Sequence, residues 1–178
     1  MVVDCTFLRI AVWPLSIGQN DEMTYQDGDH VATHSEPIWR DRGNFVSRVR
    51  IEAAPGERRW EQLWWTKVTN SQFILCCIPF FAYDLALGDE VELDVHRHIL
   101  AVVKPSGQWT FRAWFGGVSA NDKKTAIVAI QAHAPLMEWS SENLLALSAS
   151  TEGAQALADT LQGLSESGSL QYETGRTL

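Results

Sequence analysis

Five histidines and three cysteines are the residues of this chain best suited to bind a metal or act as nucleophiles. His30 and His34 stand four apart, the spacing at which two imidazoles share a helix face and hold zinc. The glutamate of H-E-x-x-H is missing, and the stretch around them is polar and turn-prone, so a helical zinc site does not follow. His96 and His98 stand two apart and would share one face of a strand. A complete site there needs a further group such as His30 or Asp94, and no third and fourth ligands occur at compact spacing. We therefore expect solvated histidines, no metal and no cofactor. Cys76 and Cys77 lie inside the apolar run from Gln72 to Ile78. Desolvation there raises a thiol pKa and makes it inert. Strand neighbours point to opposite faces, so a bridge between the two is strained, and Cys5 makes the count odd. Reduced core cysteines are the expectation.

Other catalytic patterns are missing. The chain has no G-x-S-x-G elbow, and neither of the glycine-rich loops that cradle phosphates. Asp89 and Glu90 read as a solvated turn, not an acid–base pair. We assign no catalytic residue. The eight tryptophans are the other unusual feature. Most of this aromatic excess is expected in a core, but Trp64, Trp114, Phe80, Phe81 and Tyr83 could line a ligand pocket or a docking face.

These residues must be positioned by a β-rich first part. Cys5 to Ile17 is apolar and suggests a strand, and Gly18 to Pro37 is a polar, turn-prone stretch. From Phe45 to Glu52 the chain alternates: Phe45, Ser47, Val49 and Ile51 face one way, Arg48, Arg50 and Glu52 the other. A strand over 60–68 follows, with Asn70-Ser71 as a hairpin connection. Residues 72–78 are apolar on both faces, which predicts a central strand ended by Pro79. Strands over 91–95, 99–103 and 109–115 are separated by Gly88-Asp89 and Pro105-Ser106-Gly107. Five or six such strands predict a small barrel or strongly bent sheet over residues 1–105.

The last third changes character. Ser119 or Asn121 can cap a helix carrying Ala126, Ile127, Ile130 and Ala134 as its apolar stripe, and Pro135 limits it. A strand at 144–150 precedes a second helix with Ala154, Leu157, Ala158, Leu161 and Leu164 on one face. Leu170 to Glu173 adds a final short strand. Residues 106–178 are thus expected as a ferredoxin-like sheet with two helices packed on the β-rich module, an α+β class overall.

The run Ile78-Pro79-Phe80-Phe81, followed by Tyr83 and the Gly88-Asp89 turn, carries a family resemblance. Leu63-Trp64 lies ahead of it, Ser106-Gly107-x-Trp109-Thr110 follows, and Tyr172-Glu173 closes an Ala- and Leu-rich helix. Over roughly residues 60–175 the chain resembles a bacterial family filed as domain of unknown function 4265. Asp84 stands where that family commonly has glycine. The resemblance implies a bacterial, cytosolic protein and brings no established active site.

Net charge is −8, with the acid spread along the chain. Nucleic acid is a poor partner for that balance, since phosphate binding needs a basic stripe. The N-terminal stretch carries Asp4 and Arg9 without a basic leader, and no apolar run is long enough to cross a bilayer. We expect a cytoplasmic, non-enzymatic binding protein with a protein partner, most simply an immunity protein that neutralises a toxin domain. Asp21, Glu22, Asp27, Asp29, Glu36 and Trp39 are the candidate contact residues, steering charge with an aromatic anchor. The alternative is an enzyme or small-molecule sensor with a groove between the two modules, lined by Asp84, His96 and His98.

Overall fold

Alternation of buried Ser47, Val49 and Ile51 with exposed Val46, Arg48 and Arg50 makes β2 (Phe45–Ile51) a strand with one face in water. The computed structural model to which it belongs describes residues 29–51 and 58–176. The expected first strand, Cys5, Asp21, Glu22, Asp27 and Glu52 lie outside the described residues. No helix among the described residues is long and apolar enough to cross a membrane.

The first sheet is built around β3 (Arg59–Lys67). One edge of β3 pairs antiparallel with β2. Its other edge is divided: β1 (His30–Ala32) runs parallel to its first residues, and β4 (Gln72–Leu75) antiparallel to its last. Then β5 (Glu90–Leu93) and β6 (Ile99–Lys104) extend the sheet, with two register shifts between them. The path is open among the described residues, so of the two expected forms the bent sheet holds. The expected strand over 72–78 ends early, at Leu75. The chain leaves the ladder at Cys76 and runs, without regular structure, beneath the sheet as far as Asp89.

The second sheet has the expected ferredoxin-like form. Its elements are β7 (Gln108–Trp114), α1 (Ala120–Gln131), β8 (Leu136–Trp139), β9 (Leu144–Ser150), α2 (Thr151–Glu166) and β10 (Gln171–Thr174). The spatial order is β10-β7-β9-β8, antiparallel throughout. β8 was not expected, because four residues after Pro135 are too few to show a period. Ser119 caps α1 by accepting the Asp122 N–H at 3.1 Å. Phe111, Ala113, Phe115, Leu145 and Leu147 pack against Ala126, Ile130, Leu157 and Leu161 of the helices. The opposite face of this sheet looks toward the first sheet. Between the two lie Ile78, Phe80 and Leu87, in contact with Ala146 of β9.

Candidate functional site

An irregular segment buried between two sheets must find partners for its peptide groups outside any ladder. From Ile78 to Ala82 charged side chains supply them. Glu61, on β3, accepts the N–H groups of Phe80 at 2.6 Å, Phe81 at 3.0 Å and Ala82 at 2.7 Å. Glu138, on β8, accepts those of Ile78 and Ile38, each at 2.9 Å. Arg112, on β7, donates from Nε to the Pro79 carbonyl at 3.2 Å and from Nη2 to the Ala82 carbonyl at 2.5 Å. Its Nη1 pairs with Glu173 Oε1 at 2.9 Å, and Tyr83 donates its hydroxyl to Glu173 Oε2 at 2.6 Å.

His34 links the two sheets. Its Nε2 lies 3.1 Å from Glu61 Oε1 and its Nδ1 2.6 Å from Glu138 Oε2. A carboxylate at each nitrogen requires a proton on both, so the ring is an imidazolium. Burial opposes that charge, but hydrogen bonding to Cys77, Glu138 and Glu61 outweighs it and pushes the His34 pKa up to about 12. Burial likewise works against an ionised Glu61. The hydrogen bond and charge of His34, with the Phe80 N–H and the charge of Arg112, hold its carboxyl below the usual range. The ring lies flat on Phe80, centroids 3.9 Å apart and planes 9° from parallel. The expectation of a solvated histidine is therefore wrong for His34, which is 3% exposed. Cys76 and Cys77 are buried free thiols, and burial pushes both pKa values up, against Thr66 at Cys76 and His34 at Cys77.

Strand register places an open groove beside this cluster. Cross-strand partners share a face, so His30, Arg59 and Ile51 form one row across β1, β3 and β2. Opposite them, Gln171, Trp114 and Leu144 form a row across β10, β7 and β9, and Glu173 and Arg112 stand in the next row inward. The groove between these rows has a volume of about 500 Å³, and Phe80, Phe81 and Tyr83 complete its lining. Four of the five aromatics singled out in the sequence thus meet at one site. Trp64 does not: it lies on the other face of β3, 5.5 Å beneath the Arg40 guanidinium.

The polar groups expected in such a groove are elsewhere. Asp84, His96 and His98 do not line it; His30, Arg59, Arg112 and Glu173 do. His96 and His98 lie at the β5–β6 turn with rings 6.0 Å apart, where Asp94 accepts both of their amides and sits 2.9 Å from His98 Nδ1. Among the described residues no group of three His, Cys, Asp or Glu is arranged to hold a metal. Of the candidate contact residues, Asp29 accepts the Trp60 indole N–H at 2.9 Å and pairs with Arg58 at 3.3 Å. Glu36 is exposed, and Trp39 is half-buried with the Arg42 guanidinium 4.4 Å above its ring.

Sequence reasoning missed Glu61, Glu138 and Arg112, and weighed His34 only as a zinc ligand. A signal existed for the first: Glu61 falls in phase with Leu63 and Trp65, on the apolar side of its strand. A charge in that position is buried and must be paired.

Two facing sheets, one of them a βαββαβ layer, joined by a buried ionic cluster and flanked by a groove, define an α+β protein. The chain belongs to the family described as domain of unknown function (DUF4265), whose sequence model matches residues 61–172. The matched span takes in Glu61, Arg112 and Glu138 and leaves His34 outside it. Among solved structures, the chain is similar to a hypothetical protein from Neisseria gonorrhoeae. The two share 22% identity and superpose with a TM-score of 0.62, covering 74% of this chain and 93% of that one. A likeness at that identity is one of fold. No curated protein matches the chain.

Proposed function

We propose that this is a binding protein whose inter-sheet groove takes a small molecule. The observation that carries this reading is the groove itself. Its volume of about 500 Å³ suits a small organic ligand, and its lining is largely apolar with a few convergent polar groups. The wall that Phe80 and Phe81 form is pinned by side chains: Glu61, Glu138 and Arg112 spend their hydrogen-bonding capacity on the backbone of residues 78–82 and on His34. Those groups are thereby occupied in structure, which favours binding over acid–base catalysis. The test uses Nile red, an uncharged apolar dye. Saturable one-to-one uptake that is lost in Trp114→Glu supports the reading. Uptake that never saturates, or that ignores the substitution, overturns it.

Neutralisation of a toxin domain is the second reading. It rests on the acidic balance of the chain, on exposed Glu36, and on Leu136 and Trp139, exposed at 39% each on β8, an edge strand of the second sheet. An exposed aromatic on an edge left unpaired among the described residues suits a protein partner. Co-purification of the neighbouring gene's product with the wild type but not with Trp139→Glu supports this reading. Equal recovery with both counts against it.

A further inference from the structure

The groove carries information about its ligand beyond its size. One wall is a stacking surface made in advance. Trp114 stands on the groove face of β7, between Gln171 on β10 and Leu144 on β9, and is 36% exposed. Its indole rests against Gly116, where an added Cβ would stand 2.4 Å from Nε1 and 2.6 Å from Cε2. The missing side chain at 116 lets the ring settle there, so the platform is in place before any ligand arrives. Such preorganisation reduces the entropy lost on binding. Phe80, Phe81 and Leu144 line the same groove, and a flat ring system buries a large area against surfaces of this kind.

The charged groups of the lining are already engaged. Arg112 donates to the Pro79 and Ala82 carbonyls and to Glu173, and its guanidinium lies 4.4 Å over the Tyr83 ring. Glu173 spends its second oxygen on the Tyr83 hydroxyl. Arg59 too has a partner within the chain. His30, the remaining basic group of the lining, is exposed, where water screens a charge. A charged ligand entering this groove gives up water without meeting a buried countercharge free to replace it. Gln171 differs from these groups. It is the cross-strand partner of Trp114 on the groove face, and such partners stand about 5 Å apart at Cβ. No described residue ties down its side-chain amide, which offers donors and an acceptor without a charge beside the aromatic platform.

We propose that the groove takes a flat, uncharged aromatic amide, its rings stacked on Trp114 and its amide paired with that of Gln171. This rests on the groove being a ligand site, and the experiment separates the two claims. Three probes are titrated against the full chain: 2-naphthamide, its charged analogue 2-naphthoate, and decanamide, an aliphatic amide. Binding is read by displacement of Nile red and by calorimetry.

The expected order is 2-naphthamide first. 2-Naphthoate binds at least about tenfold more weakly, because its carboxylate is desolvated without a free countercharge. Decanamide binds several-fold more weakly for want of a stacked ring. Trp114→Ala and Gly116→Ala should each weaken 2-naphthamide several-fold and leave decanamide unchanged. Gln171→Leu should weaken 2-naphthamide by about three- to tenfold, the worth of a neutral hydrogen bond. Thermal melts of each variant confirm that it is folded. If Nile red itself fails to bind, the groove reading falls and this one with it. If Nile red binds but 2-naphthoate displaces it as well as 2-naphthamide does, the preference for an uncharged ligand is overturned while the groove stands. If decanamide matches 2-naphthamide and Trp114→Ala has no effect, the stacking assignment is overturned. If folded Gln171→Leu holds 2-naphthamide as tightly as the wild type, the amide contact is overturned.

Discussion

Glu61 Oε1 and His34 Nε2 meet at 3.1 Å with neither side chain exposed to water. A buried pair of this kind adds little net stability, because both charges were taken out of water to make it. Breaking it is another matter. Glu61→Gln leaves the imidazolium short of a countercharge and weakens the hold on three amides, and His34→Gln leaves two carboxylates facing one neutral group. Each substitution should cost roughly 3–5 kcal/mol. The double variant should cost less than the two added together, by about 1 kcal/mol or more. Urea unfolding of the four proteins measures this, and additive losses would show that the two groups act independently.

Stability should depend on pH with a definite sign. His34 binds its proton more tightly when folded, with a pKa raised from 6.5 to about 12. Its contribution is complete below 6.5 and erodes as pH climbs toward 12. Glu61 behaves oppositely: held below its ordinary 4.5, it contributes above that value, and the contribution is lost as pH falls through the lower folded value. Both contributions are complete between about 4.5 and 6.5. The urea midpoint should therefore be highest there and decline on the alkaline side, with His34 contributing at most about 1.4 kcal/mol per pH unit. His34→Gln should flatten that decline. A wild-type midpoint that rises from pH 6 to pH 9 contradicts the assignment.

Gly88 closes the buried segment at φ 84°, and a Cβ there would meet Trp39 Cη2 at 3.0 Å and Ser106 Cβ at 3.2 Å. Gly88→Ala combines backbone strain with a clash, and about 1–3 kcal/mol of destabilisation is expected. Trp39→Leu in the same chain should relieve the indole contact and leave the strain and the Ser106 contact. A cycle that includes Trp39→Leu alone, read by thermal unfolding, separates the indole clash from the other costs.

Cys76 and Cys77 are buried, with thiol pKa values pushed up. In a Cys5→Ser background, Ellman's reagent should label neither thiol in the native protein at pH 8 and both in denaturing urea. Prompt labelling of one thiol per chain without urea would show that the segment leaving β4 opens readily.

Local patterns revealed much of this architecture. The period of two over Phe45–Ile51 and the apolar face of α2 are each carried by one continuous stretch, so sequence alone exposes them. β1 and β8, at three and four residues, are too short for any period. Residues 76–78 continue the apolar run of β4 but leave its ladder, and the peptide groups of residues 78–82 bond instead to Glu61, Glu138 and Arg112. Those partners come from distant strands whose pairing no local signal reveals. The groove shows the same division: its aromatics were recognised by type, while its charged groups depend on the register that sets His30 beside Arg59 and Glu173 beside Arg112.

The ionic cluster also governs how the chain can be divided. The turn between Lys104 and Gln108 is the natural place to cut, since one sheet ends there and the other begins. Yet the first piece would keep His34 and Glu61 without Glu138, and the second would keep Arg112 without the carbonyls of Pro79 and Ala82. Each would bury half of an electrical circuit. Neither piece should fold alone, and the two should recombine when made together, so that the chain behaves as a split reporter whose halves stay silent until they meet.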